Sequence, residues 1–117
     1  EGMDEISISD VTYASRLRDG VIHEFIIDPQ EYGINKMPLK AIMGGDAREH
    51  AQILLNIFDS NATDAQRAIV LINTTCALMV DGLARDIQDG IEMAKEASLN
   101  RRAKKKLRQI IENSNTL

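Results

Sequence analysis

Residues 68–80, AIVLINTTCALMV, decide how this chain can fold. Apart from the Asn-Thr-Thr triplet, every position in the stretch is apolar, so apolar side chains cover nearly the whole circumference of a helix. Thr63 followed by Gln66 predicts the start of this helix, and Asp81-Gly82 predicts its end. A helix that is apolar all round is normally buried. We therefore predict a central helix on which the other elements pack.

Two side chains inside this helix have chemistry beyond packing. A buried amide needs hydrogen-bond partners, so Asn73 is predicted to tie helices or subunits together rather than to contact a substrate. Cys76 lies beside Ala77 and Leu78 and has no base near it in the sequence. A buried, inert thiol is therefore predicted at this position rather than a nucleophile.

The first third of the chain has the patterns of β structure. Isoleucine and serine alternate over residues 6–9, and two further runs, 12–17 and 21–27, flank an Asp-Gly pair. An Asp-Gly pair between two such runs is a hairpin signal. We predict strands over about residues 5–27. Since an isolated hairpin is marginal in water, either the helices that follow cover this one or strands from other sequence complete the sheet, and we expect the second.

A connection and a helix follow the predicted strands. Residues 28–45 contain two prolines and three glycines, which predicts a loop with room for a short helical turn. Asp46 and Glu49 then form the pattern of a capping box. We predict that this first helix runs to about Phe58.

The last two helices are predicted to begin at Asp86 and Asn100 and to be amphipathic and peripheral. Together the predicted elements give an α/β fold in which short β-strands and a hairpin precede about four α-helices over residues 46–113. Apolar residues make up 44% of the 117 positions, enough for a modest core. Residues 1–117 are therefore predicted to form a single unit.

Composition narrows the class of protein. Aromatic residues are only 3% and Trp is absent, which disfavours nucleic-acid binding by base stacking. A single cysteine excludes an internal disulfide and suits a reducing compartment, so a cytoplasmic location is predicted. No apolar run approaches the roughly 18 residues of a membrane helix, and no charged-then-apolar leader opens the chain. We therefore predict neither secretion nor a membrane partner.

The adjacent carboxylates of Asp4 and Glu5 are the leading candidates for a functional site. Mg²⁺ takes oxygen ligands, keeps several waters, and is usually held by one or two carboxylates plus substrate phosphates. Neighbours on a strand point to opposite faces, so on a strand the two residues would serve separate metal positions, or one would act through water. From the residues alone, a plain solvated pair remains an open alternative.

Other candidate sites have a simpler structural explanation. Residues 44–47, GGDA, lead into a helix N-terminus that could hold a phosphate, but Asp46 would itself occupy those N–H groups. His23 and His50 have no Cys or His partner at ligand spacing, so packing or surface roles are predicted. Lysines and arginines cluster over residues 101–108, where a solvated helix face is favoured over a nucleic-acid contact.

The order of the motifs resembles a known family. Residues 1–7, EGMDEIS, are similar to the Asp-Gly-Leu-Asp-Glu-Ile-Ser segment of the anthranilate phosphoribosyltransferases. The hairpin, the YGI of residues 32–34, the GGDA of residues 44–47 and the INTTCAL of residues 72–78 follow in the family's order. The resemblance covers essentially the whole chain.

The resemblance implies a function and a metal. In that family the Asp-Glu pair binds Mg²⁺ that engages the diphosphate of phosphoribosyl diphosphate. The amine of anthranilate attacks C1 of the ribose, and pyrophosphate leaves, in a step of tryptophan biosynthesis. Asp4 and Glu5 would take the metal role. Glu1 stands where the family often has Asp, and His50 where many members have Asn, so no role transfers to either residue.

The resemblance also implies missing parts and partners. The family's glycine-rich phosphate loop and its anthranilate-contacting residues lie upstream of the Asp-Glu motif. We therefore expect residues 1–117 to be the C-terminal third of the enzyme, the C-terminal portion of its α/β domain, and to be inactive alone. The expected partner is the N-terminal part of the same enzyme, and the complete enzyme is expected to be a homodimer. Three alternatives stay open: a nucleoside phosphorylase of related fold, a non-catalytic nucleic-acid-binding relative, and a purely structural helical module.

Overall fold

The computed structural model describes residues 2–99 and 102–116, and it places a hairpin before four helices. The elements are β1 (Thr12–Arg18), β2 (Val21–Ile27), two short 3₁₀ turns (Pro29–Tyr32 and Leu39–Ala41), α1 (Ala47–Phe58), α2 (Asp64–Val80), α3 (Ile87–Leu99) and α4 (Arg102–Ser114). This confirms the predicted α/β arrangement. Glu1, the predicted cap Asn100, and Arg101 lie outside the described residues.

The two strands form an antiparallel hairpin with a two-residue turn. Arg18 pairs with Val21 across the turn. Asp19 and Gly20 both have positive φ, 52° and 77°. This is the type I′ geometry that matches the twist of the flanking strands and favours an Asp-Gly pair. The predicted hairpin is confirmed at both strands.

The two faces of the hairpin have different surroundings. Ala14, Phe25 and Ile27 face the core. The side chains on the opposite face are exposed: Tyr13 79%, Leu17 71%, Ile22 67% and Ile26 53%. Among the described residues, no third strand joins the sheet. The expected continuation of the sheet in other sequence stays a prediction.

The strand predicted over residues 6–9 is wrong, and the first strand begins at Thr12. The Ser7 hydroxyl accepts hydrogen bonds from the N–H groups of Ser9, at 2.9 Å, and Asp10, at 3.4 Å. The N–H of Ser7 donates to Oγ1 of Thr12 at 3.1 Å. These bonds give the backbone an alternative to a sheet ladder. The segment therefore folds as a series of bends.

The first two helices begin as predicted, each with a complete capping box. The Asp46 carboxylate accepts from the N–H groups of Arg48 and Glu49, both at 2.9 Å, and Glu49 accepts in return from the N–H of Asp46. Thr63 and Gln66 make the same reciprocal pair at α2. The predicted end of α1 at Phe58 is also confirmed.

The core lies between the hairpin, the N-terminal segment, α2 and α3. Its fully buried isoleucines are Ile8, Ile27, Ile72 and Ile91. The prediction that α2 is buried all round is wrong for the described residues: Val70 is 37% exposed and Val80 is 84% exposed. The N-terminal segment meets α2 at Asn73 and α3 meets it at Thr75, whereas Val70 and Val80 are left uncovered.

The outer helices are amphipathic, as predicted. Helix α3 begins after Asp86, whose carboxylate accepts from the N–H of Asp89 at 2.9 Å, and it buries Ile87, Ile91 and Ala94. Helix α4 has no buried residue among those described, and Lys104 pairs with Asp59 at the end of α1. Within the described ranges, no helix has the length and apolar character needed to cross a bilayer.

Helices α2 and α3 approach closely at Gly90. A Cβ at this position would lie 2.7 Å from Cγ2 of Thr75 and 3.1 Å from the Thr75 carbonyl oxygen. A methyl group therefore has no room unless the helices separate.

We predict that Gly90→Ala destabilises the chain even though alanine is the better helix former. The gain in helix propensity is about 1 kcal/mol, and overpacking of a tight contact costs about 1–3 kcal/mol. Urea unfolding should give a lower midpoint for this variant, whereas Ser98→Ala, on an exposed position of α3, should not lower it. A Gly90→Ala variant as stable as the wild type would contradict the close packing.

Candidate functional site

The Asn73 side chain of α2 joins the segment that carries the acidic pair. Its Oδ1 accepts from the backbone N–H of Ile6 at 3.0 Å, and its Nδ2 donates to the Ile6 carbonyl at 2.9 Å. Nδ2 also donates to the Ile69 carbonyl, one turn earlier in α2, at 2.9 Å. The amide thus uses its acceptor and both donor hydrogens. The sequence predicts that Asn73 ties helices or subunits together, but its partner is neither: Asn73 binds Ile6, the residue after Glu5, in the segment that precedes β1.

The residues after Ile6 are fixed as well. Ser7 and Ile8 are buried, and the Ile8 carbonyl accepts from the N–H of Met37 at 2.9 Å. The chain that follows the acidic pair is therefore held on one side by α2 and on the other by the connection that precedes α1.

Asp4 and Glu5 lie at a bend, and both side chains are exposed. The pKa of Glu5 is raised above its ordinary value, first by a hydrogen bond with the Asp4 side chain and then by repulsion from the Asp4 charge. The side chain of Asp4 is therefore the main influence on the charge of Glu5. The expectation of opposite faces applied only to a strand, and residues 4 and 5 lie at a bend instead, so it does not apply here.

Two neighbouring carboxylates fit a magnesium ion that is shared with a phosphate ligand. Each carboxylate disfavours the charge of the other, and a cation between them removes that penalty. Within the described part of the chain, no group of three or more His, Cys, Asp or Glu side chains could surround a metal. Most of the coordination sphere would then come from water and substrate oxygens, which is the usual pattern for Mg²⁺.

The other sequence-predicted candidates lie elsewhere and act structurally. At the start of α1, the Asp46 carboxylate occupies the N–H groups that a phosphate would need. The His50 ring lies against Gly44, and His23 is an exposed residue of β2. Burial raises the pKa of the Cys76 thiol, which disfavours the reactive thiolate.

The basic cluster of residues 101–108 serves in part to join helices. Lys104 forms the ion pair with Asp59 described above, whereas Lys105, Lys106 and Arg108 are exposed. Arg101 lies outside the described residues. The favoured interpretation, a solvated helix face, agrees with these positions.

A groove that no sequence pattern predicts lies between the hairpin and the end of α2. The groove has a volume of about 650 Å³, and Phe25, Met79 and Arg85 are among its lining residues. The Arg16 guanidinium donates to the Met79 carbonyl at 3.1 Å, near the C-terminus of α2. Cations at this position satisfy the last carbonyls of a helix. The two residues are too far apart in the sequence for any local pattern to predict the contact.

Comparison with known proteins places this fold in a family. Residues 1–103 match the family described as "Glycosyl transferase family, a/b domain". The chain belongs to this family.

Three curated relatives show which kind of transferase the chain is similar to. The chain is 42% identical over 113 residues to an anthranilate phosphoribosyltransferase of Myxococcus xanthus, a match that covers 96% of this chain and 33% of that protein. It is 38% identical over 116 residues to the enzyme of that name from Desulforamulus reducens, with 99% and 33% covered. For Methanobrevibacter smithii the identity is 39% over 116 residues, with 99% and 34% covered. The chain spans about a third of the length of these relatives.

We predict that the pKa of Glu5 depends on Asp4. In the wild-type chain, side-chain ¹³C NMR should show Glu5 titrating above the ordinary glutamate value of about 4.3. Asp4→Asn removes the repelling charge, so the Glu5 pKa should fall toward that value. Asp19→Asn, at the distant hairpin turn, should leave it unchanged. Identical Glu5 titrations in the wild type and Asp4→Asn would show that the carboxylates are not neighbours.

Proposed function

We propose that the chain is the C-terminal part of an anthranilate phosphoribosyltransferase. The complete enzyme would transfer the phosphoribosyl group of phosphoribosyl diphosphate to anthranilate, in tryptophan biosynthesis, with Mg²⁺ as cofactor. The observation that carries the proposal is the match of nearly the whole chain to relatives of that name. The exposed Asp4 and Glu5 pair, at a bend whose next residue is bound by α2, agrees with it. The names of the relatives supply the substrate class.

In this proposal Asp4 and Glu5 hold the ion that engages the diphosphate. When bound, magnesium supplies positive charge that stabilises the departing pyrophosphate. The exposure of both carboxylates leaves them open to a large, charged ligand. Because the amine of anthranilate is itself the nucleophile, the reaction requires none from the protein, which agrees with the raised pKa of the Cys76 thiol.

The proposed partner is the N-terminal part of the same enzyme. The exposed hairpin face, formed by Tyr13, Leu17, Ile22 and Ile26, supports it, since adjoining apolar side chains on a surface mark interaction sites. The length of the relatives supports it too, because about two thirds of each has no counterpart in this chain. A homodimer and a cytoplasmic location are proposed on the resemblance.

Two alternatives from the sequence have less support. The relatives reported above are named transferases, which favours phosphoribosyl transfer over a nucleoside phosphorylase. A nucleic-acid-binding role depended on the basic cluster, where Lys104 is engaged with Asp59.

We predict that magnesium pyrophosphate binds to the chain through the acidic pair. Isothermal titration calorimetry should detect binding to the wild type and none to the double variant Asp4→Asn, Glu5→Gln, because these two carboxylates are the metal ligands that the proposal assigns to this chain. The matched control, Asp19→Asn with Glu24→Gln, changes the net charge equally on the hairpin and should bind as the wild type does. Equal binding by both double variants would refute the metal role.

We also predict that the 117-residue chain alone does not catalyse the transfer, because the resemblance places the substrate-contacting residues upstream. The fluorescence of anthranilate, followed with phosphoribosyl diphosphate and Mg²⁺, should stay constant with this chain. It should fall with the complete Myxococcus xanthus relative. Measurable turnover by the chain alone would contradict the prediction.

A further inference from the structure

We propose that Asn73 is a positioning residue for the metal site: its side-chain amide clamps the backbone at Ile6 and so holds the Asp4–Glu5 bend in place for a divalent cation. The inference rests on the proposed function, because it assigns Asn73 a role only if the two carboxylates bind the ion. It adds a residue of the central helix to a site that otherwise consists of two neighbours in the sequence.

The clamp acts on both peptide groups that flank Ile6. The N–H that donates to Oδ1 belongs to the peptide joining Glu5 to Ile6, and the carbonyl that accepts from Nδ2 belongs to the peptide joining Ile6 to Ser7. Two bonds to one residue fix the orientation of both peptide planes. The backbone of Glu5 is thereby fixed on its C-terminal side.

Asn73 itself lies on a rigid element, helix α2. The remaining Nδ2 hydrogen donates to the Ile69 carbonyl of the same helix, which fixes the rotamer of Asn73. The neighbouring Ile72 is fully buried, so α2 cannot shift easily at this turn. Functional residues held from helices keep their geometry better than residues held from loops.

A primary amide suits this task. It offers one acceptor and two donor hydrogens on a short, planar group, matching the N–H and C=O of a single residue. An aspartate would accept from the Ile6 N–H but could not donate to its carbonyl. The two bonds to Ile6 also define which way the amide points. In the reverse orientation Nδ2 would face the Ile6 N–H and Oδ1 would face the Ile6 carbonyl, and neither pair can form a hydrogen bond.

The other anchors of the segment act further along the chain. Ser7 is held through its own hydroxyl and through Thr12, and Ile8 through Met37. These contacts lie after Ile6 and survive the loss of Asn73. Removal of the amide should therefore loosen the bend at Asp4 and Glu5 more than the core behind it.

The test uses Mn²⁺ alone as the probe, with the full 117-residue chain labelled with ¹⁵N. Bound Mn²⁺ broadens nearby amide signals, so a titration gives both the place and the affinity of binding. Broadening should centre on residues 3–6 in the wild type and disappear in Asp4→Asn with Glu5→Gln. In Asn73→Leu the affinity should fall by about tenfold, the lower end of the effect of removing partners of metal ligands.

The matched control is Thr75→Val. The Thr75 hydroxyl is also a buried polar group of α2, but it donates to the Leu71 carbonyl of the same helix and does not contact the acidic segment. This variant should keep the wild-type Mn²⁺ affinity, even if its melting temperature falls as far as that of Asn73→Leu. A loss of Mn²⁺ affinity in Asn73→Leu but not in Thr75→Val would separate positioning of the site from general stability. If Asn73→Leu does not fold, Asn73→Gln, which moves the amide by one methylene, replaces it and should also weaken binding.

Two results would overturn the inference, and they are distinguishable. If a folded Asn73 variant binds Mn²⁺ as tightly as the wild type while the acidic double variant does not bind it, the proposed metal role stands but Asn73 has no part in it. If Mn²⁺ broadens no signals near residues 3–6 in the wild type, or if the broadening persists in the acidic double variant, both the metal role and the positioning role are refuted.

Discussion

The pair of hydrogen bonds between the Asn73 amide and the Ile6 backbone is the interaction on which the candidate site depends. The N-terminal segment buries Ser7 and Ile8 without belonging to a sheet. Its backbone groups therefore need partners from elsewhere, since a buried polar group left unsatisfied costs about 1–3 kcal/mol. Side chains supply them: Asn73 bonds Ile6, and Thr12 bonds Ser7. The segment is anchored to α2 because the Asn73 side-chain amide binds the N–H and C=O of Ile6, which in a sheet would bind the backbone of a neighbouring strand.

This anchoring permits an arrangement that is unfavourable by itself. Two neighbouring carboxylates repel each other, and the pKa of Glu5 is raised first by a hydrogen bond with the Asp4 side chain and then by this repulsion. A free, flexible segment would relax by moving them apart. Anchored at Ile6, the bend keeps both carboxylates on the surface, where the proposed cation would find two ligands already in place. Preorganisation of this kind keeps metal ligands in a productive geometry.

Local signals in the sequence predicted the local structure well. The Asp-Gly turn, with positive φ at Asp19 and Gly20, and the capping boxes at α1 and α2 each depend on residues within a few positions of one another. The strand over residues 6–9 failed because alternating Ile and Ser look the same in a strand and in this bend. The deciding contact comes from Asn73, 67 positions away from Ile6. The burial of α2 was overestimated because apolar residues show which faces can be buried, but not which elements cover them. Resemblance identified Asp4 and Glu5 as a pair, whereas only the structure shows that they lie at a bend and not on a strand.

The most direct measurement is the hydrogen bond between Ile6 and Asn73 itself. NMR of the chain labelled with ¹³C and ¹⁵N can detect the small scalar coupling that passes through a hydrogen bond, from a donor nitrogen to the carbon behind the acceptor oxygen. The account predicts a cross-peak between the backbone nitrogen of Ile6 and the side-chain carbonyl carbon of Asn73. A cross-peak from the Ile6 nitrogen to a backbone carbonyl of another segment would instead show a strand at this position, and would contradict the anchored bend.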